Sequence, residues 1–424
     1  MNYQETIDWL THFPIFQPKN VINGKARMDL ITIRALLSYL GNPQDACSFI
    51  HIAGTNGKGS TAAYLYSILT QTPMHIGFFT SPYLFDWQEQ IQVDNQWIDD
   101  SSLAVLASLV RDTAQTYHLH PSIYEVTCAI AFLYFQQKKC NLVILEVGLG
   151  GDQDATNVVS HTICALITAI GLDHTELLGN TLSEIASHKS GIIKPDCDVL
   201  VYPQTKEVID VIAAKCHQMQ ARMHIVPQIQ ADTQDLSGQT FKGYRTHLLG
   251  TYQVQNAMMA IQTCHLLQKK GYPLSQSDIH YGIEKTTWPC RFEIIQKDPI
   301  RIVDGSHNIQ GVRTLKESLE TYFKDQKIIF VMGVLQDKAY EEMIDILGPL
   351  SAGFFTITPP NPRALDAYEL ATRIQSKGYK AVSSSMAQVI DQTHSIDSIV
   401  CFFGSLYYVG QIRKKILDEN KGSQ

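Results

Sequence analysis

The chain has 424 residues, of which 45% are apolar and 18% charged, and its formal net charge is −7 at neutral pH. This composition excludes wholesale disorder, and the acidic balance excludes a general binder of nucleic acid or anionic membrane, which would need a broad basic surface. No apolar run approaches the roughly 20 residues that span a bilayer, and the N-terminus lacks a signal-peptide pattern. Nine cysteines without a C-x-x-C pair predict free thiols in a reducing cytoplasm.

Short apolar runs alternate with helix-length segments over the first half of the chain. The runs are 47–53, 75–80, 141–147, 162–170 and 198–202, and the first predicted helix covers 60–72. The runs are continuous rather than alternating, which is typical of parallel strands buried on both faces. Because parallel strands are joined by right-handed helical crossovers, the pattern predicts a P-loop-type, doubly wound and mostly parallel α/β sheet.

A second series of apolar runs begins near residue 300. It consists of 300–304, 327–335, 353–359 and 398–404, with helical patterns at 311–324 and 338–350. This series predicts a smaller, C-terminal, Rossmann-like α/β domain. The turn-favouring Asp-Pro within 296–300 indicates a linker, so we assign the domains to residues 1–296 and 300–424.

A glycine-rich loop follows the first predicted strand and opens the first predicted helix. It comprises Gly54, Thr55, Asn56, Gly57, Lys58, Gly59 and Ser60. Glycines let backbone N–H groups approach an anion closely, and a helix N-terminus favours negative charge. We expect Lys58 to reach the β- and γ-phosphates of ATP, with the hydroxyls of Ser60 and Thr61 at the Mg²⁺-binding end. The spacing is a variant of the general P-loop, and a simple glycine turn is the alternative.

Six segments in chain order carry a family resemblance. They are H-I-A-G-T-N-G-K-G-S (51–60), T-S-P (80–82), E-V-G-L-G-G (146–151), G-L-D-H-T (171–175), H-K-S-G-I-I-K (188–194) and D-G-S-H-N (304–308), supported by G-V-L-Q-D-K (333–338) and G-S-L-Y (404–407). Together they resemble the folylpolyglutamate synthase/dihydrofolate synthase family of the Mur ligase superfamily, over residues 5–412.

The resemblance implies an ATP-dependent ligase. In such an enzyme ATP phosphorylates the terminal γ-carboxylate of a reduced folate polyglutamate. The amine of L-glutamate then attacks the acyl phosphate, which forms a γ-linked peptide bond and releases ADP and phosphate. The family also implies two Mg²⁺ ions, allows a monovalent cation, and favours a monomer.

The resemblance assigns the metal ligands. Ser81, Glu146 and His174 match the family's metal positions, and Lys189 matches a lysine that CO₂ carbamylates, which would turn a cation into a ligand for a second Mg²⁺. Independently, Glu146 ends an apolar run, where α/β sheets place ligand sites. A helix cap or a surface strand end for Glu146, a structural turn for His174 and a solvated helix lysine for Lys189 are the alternatives.

The remaining assignments also come from the resemblance. Asn256 and Arg291 match positions that contact ATP, although a surface salt bridge is an alternative for Arg291. Asp304 and His307 match a motif that closes over the nucleotide. The expected catalytic residues are Lys58, Glu146, His174, Lys189, Asp304 and His307. The expected folate and glutamate contacts are Tyr83, Asp152, Asp154, Thr156, His307 and Ser405.

One departure from the family pattern concerns the substrate. Residues 150–157 read G-G-D-Q-D-A-T-N, whereas many bifunctional relatives read G-G-R-L-D-A-T-N. The missing arginine removes a cation near the pterin site. We therefore hypothesise an enzyme that extends polyglutamate tails with weak or no dihydrofolate synthase activity, with a bifunctional enzyme as the alternative.

Three other classes of protein remain to be compared. A cell-wall ligase of the same superfamily would need a separate substrate domain before the phosphate loop, which begins at residue 54. A P-loop kinase or GTPase leaves D-G-S-H-N unexplained. The third class is a non-catalytic nucleotide-binding module. Replacement of Lys58 or Glu146 should abolish ATP-dependent glutamate addition in a ligase, but it should leave the partner interaction of a binding module unaltered.

Overall fold

The computed structural model describes residues 1–13, 20–22, 25–27, 29–394 and 396–422. The chain divides into two compact units. Unit 1 comprises Met1–Ile229 and Gln255–Lys285, and unit 2 comprises Gln230–Val254 and Thr286–Gln424. None of the described helices combines the length and the apolar character needed to cross a membrane.

Unit 1 is built on a large, mostly parallel sheet. Its strands are β1 (Asn20–Ile22), β2 (Lys25–Arg27), β3 (Ser48–Ala53), β4 (Ile76–Phe79), β5 (Ile91–Val93), β6 (Gln96–Trp97), β7 (Leu142–Glu146), β8 (Thr162–Ile167), β9 (Asp198–Val201) and β10 (Arg222–Ile225). Eight of them form one sheet in the order β10-β9-β8-β3-β7-β4-β5-β6, in which β5 and β6 are antiparallel additions. The predicted doubly wound parallel sheet is confirmed, because all five predicted runs are strands of it.

Helices cover both faces of this sheet. They are α1 (Tyr3–Thr11), α2 (Ile31–Tyr39), α3 (Lys58–Leu69), α4 (Asp100–Thr116), α5 (Ile123–Gln137), α6 (Thr175–Leu178), α7 (Leu182–Ser190), α8 (Lys206–Gln218), α9 (Gln253–Lys269) and α10 (Gln276–Lys285). One apolar cluster joins α4 and α5 to β3, β4 and β7, and another joins α7 and α8 to β8 and β9. The strands buried between these clusters are continuous apolar runs for that reason.

Unit 2 has its own sheet and core. Its strands are β11 (Thr233–Asp235), β12 (Gly238–Phe241), β13 (Tyr244–Thr246), β14 (Glu293–Lys297), β15 (Ile300–Val303), β16 (Ile328–Met332), β17 (Ser351–Thr356), β18 (Ala381–Ser383) and β19 (Ile399–Phe403). Its helices are α11 (Ile309–Tyr322), α12 (Tyr340–Leu347), α13 (Ala367–Ser376), α14 (Met386–His394) and α15 (Leu406–Gly422). The main sheet has the order β14-β15-β19-β16-β17-β18 and is parallel except for β14, whereas β11–β13 form a separate antiparallel meander.

The boundary between the units differs from the predicted linker at 296–300. In the structure these residues form the turn between β14 and β15, which pair antiparallel with Lys297 opposite Ile300. Turn-favouring residues suit a tight hairpin as well as a linker, so the Asp-Pro signal did not distinguish the two. The segment 230–254, which we assigned to the first domain, belongs to unit 2.

Candidate nucleotide and metal site

The glycine-rich loop lies between β3 and α3, as predicted. The N–H groups of Thr55 and Asn56 donate to the carbonyl of Ala169, at 2.8 and 3.2 Å, which fastens the loop to the segment after β8. A Cβ at position 54 would lie 1.8 Å from the Thr168 hydroxyl oxygen. At Gly57 the φ of 88° is left-handed. The tight loop therefore depends on glycine, and it leads into the N-terminus of α3, where anions bind favourably.

Two lysines converge on one carbonyl of this loop. Lys58 Nζ donates to the carbonyls of Gly54 and Thr55, at 3.1 and 3.4 Å. Lys189 Nζ, from α7, donates to the same Gly54 carbonyl at 2.8 Å and is buried. Burial, reinforced by the charge of Lys58, lowers the pKa of Lys189 to about 7. The solvated-helix alternative for Lys189 is therefore wrong.

Asn256 also packs against the loop. A Cβ at Gly57 would lie 2.7 Å from Asn256 Oδ1, and that oxygen accepts a hydrogen bond of 2.9 Å from the Tyr202 hydroxyl. Ser60 and Thr61 are buried in the first turn of α3. The hydroxyl of Thr61 has no hydrogen-bond partner among the described residues. The structure thus gathers the predicted ATP-contacting residues of unit 1 around one loop.

Glu146 lies at the carboxyl end of β7, beside β3, and its side chain is buried. The hydroxyl of Thr80, which follows β4, donates to Glu146 Oε2 at 2.5 Å. Ser81 is the next residue, and its side chain lies close to the hydroxyl of Tyr124. Parallel strands end at one edge of a sheet, which is why Thr80, Glu146 and the phosphate loop occur at the same edge.

Tyr124 is a site residue that the sequence reasoning missed. It lies in the first turn of α5, and its hydroxyl contacts Asp154 Oδ1 at 3.4 Å. Burial, together with the Asp154 charge, raises the pKa of Tyr124 well above its usual value, so its hydroxyl keeps its proton. The sequence signal near Tyr124 is the capping box from Ser122 to Glu125, which predicts the start of a helix. It does not indicate that this helix start lies beside Glu146 and Asp154.

The described residues do not form a metal cage made of protein alone. No group of three or more His, Cys, Asp and Glu side chains among them is arranged to hold a metal. His174 lies in a left-handed turn before α6, with its ring half-exposed and 3.9 Å from the Asp173 carboxylate. A buried carboxylate beside hydroxyls at a phosphate loop nevertheless fits Mg²⁺, which usually takes one or two carboxylates and completes its shell with phosphate and water.

Asp154 and Thr156 occupy a buried network rather than an open pocket. The Thr156 hydroxyl donates to Asp154 Oδ1 at 2.5 Å and lies 2.9 Å from His51 Nε2. Asp154 Oδ2 also accepts the N–H of Leu149 at 2.8 Å. Burial raises the pKa of Asp154, and these hydrogen bonds oppose the rise. Direct substrate contact does not fit the fully buried Thr156, because its hydroxyl is already shared between two protein groups; it braces the loop instead.

Asp152 and Tyr83, in contrast, are accessible. Asp152 pairs with His188 Nδ1 at 3.0 Å, and its N–H donates to the His188 carbonyl at 2.9 Å. The hydrogen bond that the Asp152 carboxylate accepts from His188 raises the pKa of His188. The first part of the 150–157 motif is therefore tied to α7, next to Lys189. Tyr83 as a residue is 43% exposed, which suits the predicted substrate contact.

Unit 2 contributes a second group of predicted residues. Asp304 follows β15 and is buried; its Oδ2 accepts the N–H of Phe292 at 2.8 Å and its Oδ1 accepts the N–H of Ser306 at 2.9 Å. His307 is partly exposed, with Nδ1 2.8 Å from the Gly305 carbonyl. The geometry gives Asp304 a bracing role and leaves His307 accessible.

Arg291 and Ser405 lie near these residues within unit 2. A Cβ at Gly305 would lie 2.6 Å from Arg291 Nη1, so the guanidinium passes close to the D-G-S-H-N turn. Ser405 is buried at the start of α15, and its hydroxyl accepts the N–H of Tyr407 at 3.3 Å. Cys290, next to Arg291, is also buried, which raises the pKa of its thiol to about 12 and keeps it unreactive.

Comparison with known protein families defines the class. The Mur ligase middle domain matches residues 52–264, which include the phosphate loop, Glu146 and Lys189. The glutamate ligase domain of Mur ligases matches residues 290–406, which include Arg291 and Asp304. The fold and the loop are thus those of a Mur-type ligase.

Full-length relatives narrow the class further. The chain is 33% identical to dihydrofolate synthase/folylpolyglutamate synthase of Bacillus subtilis, over 98% of this chain and 99% of that protein. It is 32% identical to folylpolyglutamate synthase of Lacticaseibacillus casei, with the same coverage. A solved folylpolyglutamate synthase complex with AMPPCP and folate superimposes with a TM-score of 0.84 at 29% identity, covering 98% of this chain and 100% of that one. The chain belongs to the folylpolyglutamate synthase/dihydrofolate synthase family.

Proposed function

We propose that the protein is an ATP-dependent ligase that adds L-glutamate to the γ-carboxylate of a reduced folylpolyglutamate and releases ADP and phosphate. One observation carries the proposal: Lys58 and Lys189 converge on the Gly54 carbonyl in a chain that aligns end to end with enzymes of this name. Such a loop can bind the phosphates of ATP while the substrate carboxylate attacks the γ-phosphate.

The residues of unit 1 supply local positive charge in an acidic protein. The N–H groups at the N-terminus of α3 and Lys58 would bind the phosphates, and Asn256 would hold the loop against the nucleotide. Ser60, Ser81, Glu146 and His174 are the residues proposed to hold Mg²⁺, which when bound neutralises charge on the phosphates. From unit 2, Arg291 would bind a phosphate and His307 and Ser405 would position the incoming glutamate.

Lys189 is proposed to carry a carbamate. Its amine is buried against the Gly54 carbonyl and close to Lys58, so an ammonium there is disfavoured. The neutral amine nitrogen adds to the carbon of CO₂, and one of its protons passes to solvent. Native mass spectrometry in bicarbonate buffer should detect the added CO₂ in the wild type and not in Lys189→Arg; an unmodified Lys189 in active enzyme would contradict the proposal.

The position of Asp152 bears on the choice between one activity and two. An aspartate paired with His188 stands where many bifunctional relatives have an arginine. The cation that those relatives have near the pterin site is missing here, so we propose that tail extension dominates over dihydrofolate synthesis. The Bacillus subtilis relative is named for both activities, so an assay of this protein must also include dihydropteroate as a substrate.

A phosphate-release assay tests the proposal. Purified protein is incubated with ATP and glutamate together with tetrahydrofolate, methylenetetrahydrofolate, dihydropteroate or a cell-wall precursor. We expect release with the reduced folates, at least tenfold less with dihydropteroate, and loss in Lys58→Met. Lys206→Met, which removes an exposed lysine from α8 of the same unit, is the matched control and should retain activity. Turnover of the cell-wall precursor alone would reject the assignment.

We also propose that the enzyme acts as a cytoplasmic monomer. All nine cysteines are buried free thiols, as expected of a protein kept in a reducing compartment. The monomeric state is an expectation from the family, and light scattering at assay concentration tests it.

A further inference from the structure

The turn that presents Arg291 is strained on both sides. Cys290 has a φ of 58° and Phe292 a φ of 48°, so two non-glycine residues adopt the left-handed conformation around it. Such conformations are unfavourable for side chains with a Cβ and persist only where surrounding contacts impose them. The contacts that hold this turn therefore decide where the guanidinium of Arg291 points.

Two carboxylates provide those contacts. Asp304 Oδ2 accepts the N–H of Phe292 at 2.8 Å, and Glu293 Oε2 accepts the N–H of Cys290 at 2.9 Å. The carbonyl of Cys290 accepts the N–H of Gly305 at 2.9 Å and Arg291 Nη1 at 3.1 Å. Each strained residue is thus tied by its backbone N–H to a different carboxylate.

The carboxylate of Glu293 is itself fixed by a distant cation. Arg413, on α15, donates from Nε to both carboxylate oxygens, at 2.9 and 2.8 Å, and from Nη2 to Oε1 at 2.7 Å. Both side chains are about three-quarters buried. A planar guanidinium that meets a carboxylate at two nitrogens fixes its orientation as well as its position, which a lysine at the same place would not do.

We propose that Glu293 and Arg413 are positioning residues for Arg291: the ion pair holds the strained turn so that the guanidinium of Arg291 meets a phosphate during the reaction. Neither residue needs to contact a substrate. The inference deepens the proposed function and rests on Arg291 binding a phosphate. Arg413 lies beyond residue 406, where the family match of the glutamate ligase domain ends, so no motif indicated its role.

The kinetic test compares two neighbouring cations of α15. We expect Arg413→Ala to lower kcat/KM for ATP on the order of 10- to 100-fold, the usual cost of losing a residue that orients a functional group. Lys414→Ala removes the exposed positive charge next to it and should stay within about twofold of the wild type. Arg413→Lys, which keeps the charge but loses the fork, should fall between them.

The decisive measurement is a double-mutant cycle with Arg291→Ala. If Arg413 acts through Arg291, its replacement should change kcat/KM by less than about twofold once Arg291 is already absent. An equal loss in both backgrounds would overturn the proposal, because it would mean that Arg413 acts independently.

Amide hydrogen exchange separates this inference from the proposed function. Arg413→Ala should accelerate exchange at the N–H of Cys290, which Glu293 holds, and Lys414→Ala should not. Unchanged exchange at Cys290 overturns the positioning role of the Glu293–Arg413 pair even in an active ligase. A wild type that exchanges as expected but adds no glutamate to any folate would instead reject the proposed function.

Discussion

Thr156→Val probes the buried network beside the phosphate loop. Valine has nearly the same shape as threonine, so the change removes a hydroxyl with little loss of volume. Because a carboxylate only accepts, the Thr156 hydroxyl donates to Asp154, and the Nε2 of His51 must then carry the proton that reaches Thr156. Burial lowers the pKa of His51 to about 3, so the ring stays neutral at physiological pH.

The expected cost follows from these two hydrogen bonds. A hydrogen bond to a charged group contributes about 1.5–3 kcal/mol, and a buried N–H left without a partner costs about 1–3 kcal/mol. Since the two effects share one network they are not additive, and we expect a loss of about 3 kcal/mol in the free energy of unfolding. For a unit of this size that corresponds to roughly 6–12 °C in Tm.

The assay is urea and thermal unfolding, with Thr162→Val as the matched control. Thr162 is also buried, but its hydroxyl has no hydrogen-bond partner among the described residues. Its replacement should therefore be neutral or slightly stabilising. If Thr156→Val stays within about 0.5 kcal/mol of the wild type, or if both variants lose the same stability, the network does not brace the loop.

Three further predictions concern other parts of the structure. Gly57→Ala introduces a left-handed alanine whose Cβ would lie 2.7 Å from Asn256 Oδ1, so we expect a rise of at least tenfold in KM for ATP; unchanged ATP binding by calorimetry would contradict this. Arg301→Met leaves five backbone carbonyls, four of them at or just after the end of α14, without their buried donor, and urea unfolding should show a loss of about 3 kcal/mol. For Asp198, burial would raise the pKa, but hydrogen bonds from two cations and a histidine hold it well below its ordinary value. Its stabilising effect is therefore present above about pH 4 and lost as the pH falls further, so the stability difference between wild type and Asp198→Asn should shrink on acidification; a constant difference would refute it.

Much of the fold was predictable because burial leaves a simple mark on the sequence. Strands β3, β7, β8 and β9 are covered on both faces, and they were recognisable as continuous apolar runs. Strand β10 is a largely exposed edge with the sequence R-M-H-I, so it carried no such mark. Strand β14 was missed because it pairs across a tight hairpin whose turn residues resemble those of a linker.

The site was predictable where local geometry requires particular residue types. The sequence predicts the glycines and Lys58 of the phosphate loop between a strand and a helix, and Glu146 at a strand end, and the structure has them at those places. The contacts that hold them join residues far apart in the chain, such as His51 with Thr156 or Glu293 with Arg413, and a single sequence carries no periodic signal for these. A motif also does not distinguish a residue that touches substrate from one that braces the loop, as Asp154 illustrates.

The discontinuity of the two units has a consequence for synthesis on the ribosome. The chain leaves unit 1 after Ile229, contributes 230–254 to unit 2, and returns to unit 1 from Gln255 to Lys285. Helix α10, which packs on α3, emerges only after the β11–β13 meander, so unit 1 cannot be complete before a piece of unit 2 has been made. An independently expressed fragment starting at residue 300 would lack both that piece and β14, the antiparallel edge strand of its sheet. Separate production of the two units should therefore divide the chain at three places, after Ile229, Val254 and Lys285, with 230–254 supplied alongside the C-terminal part.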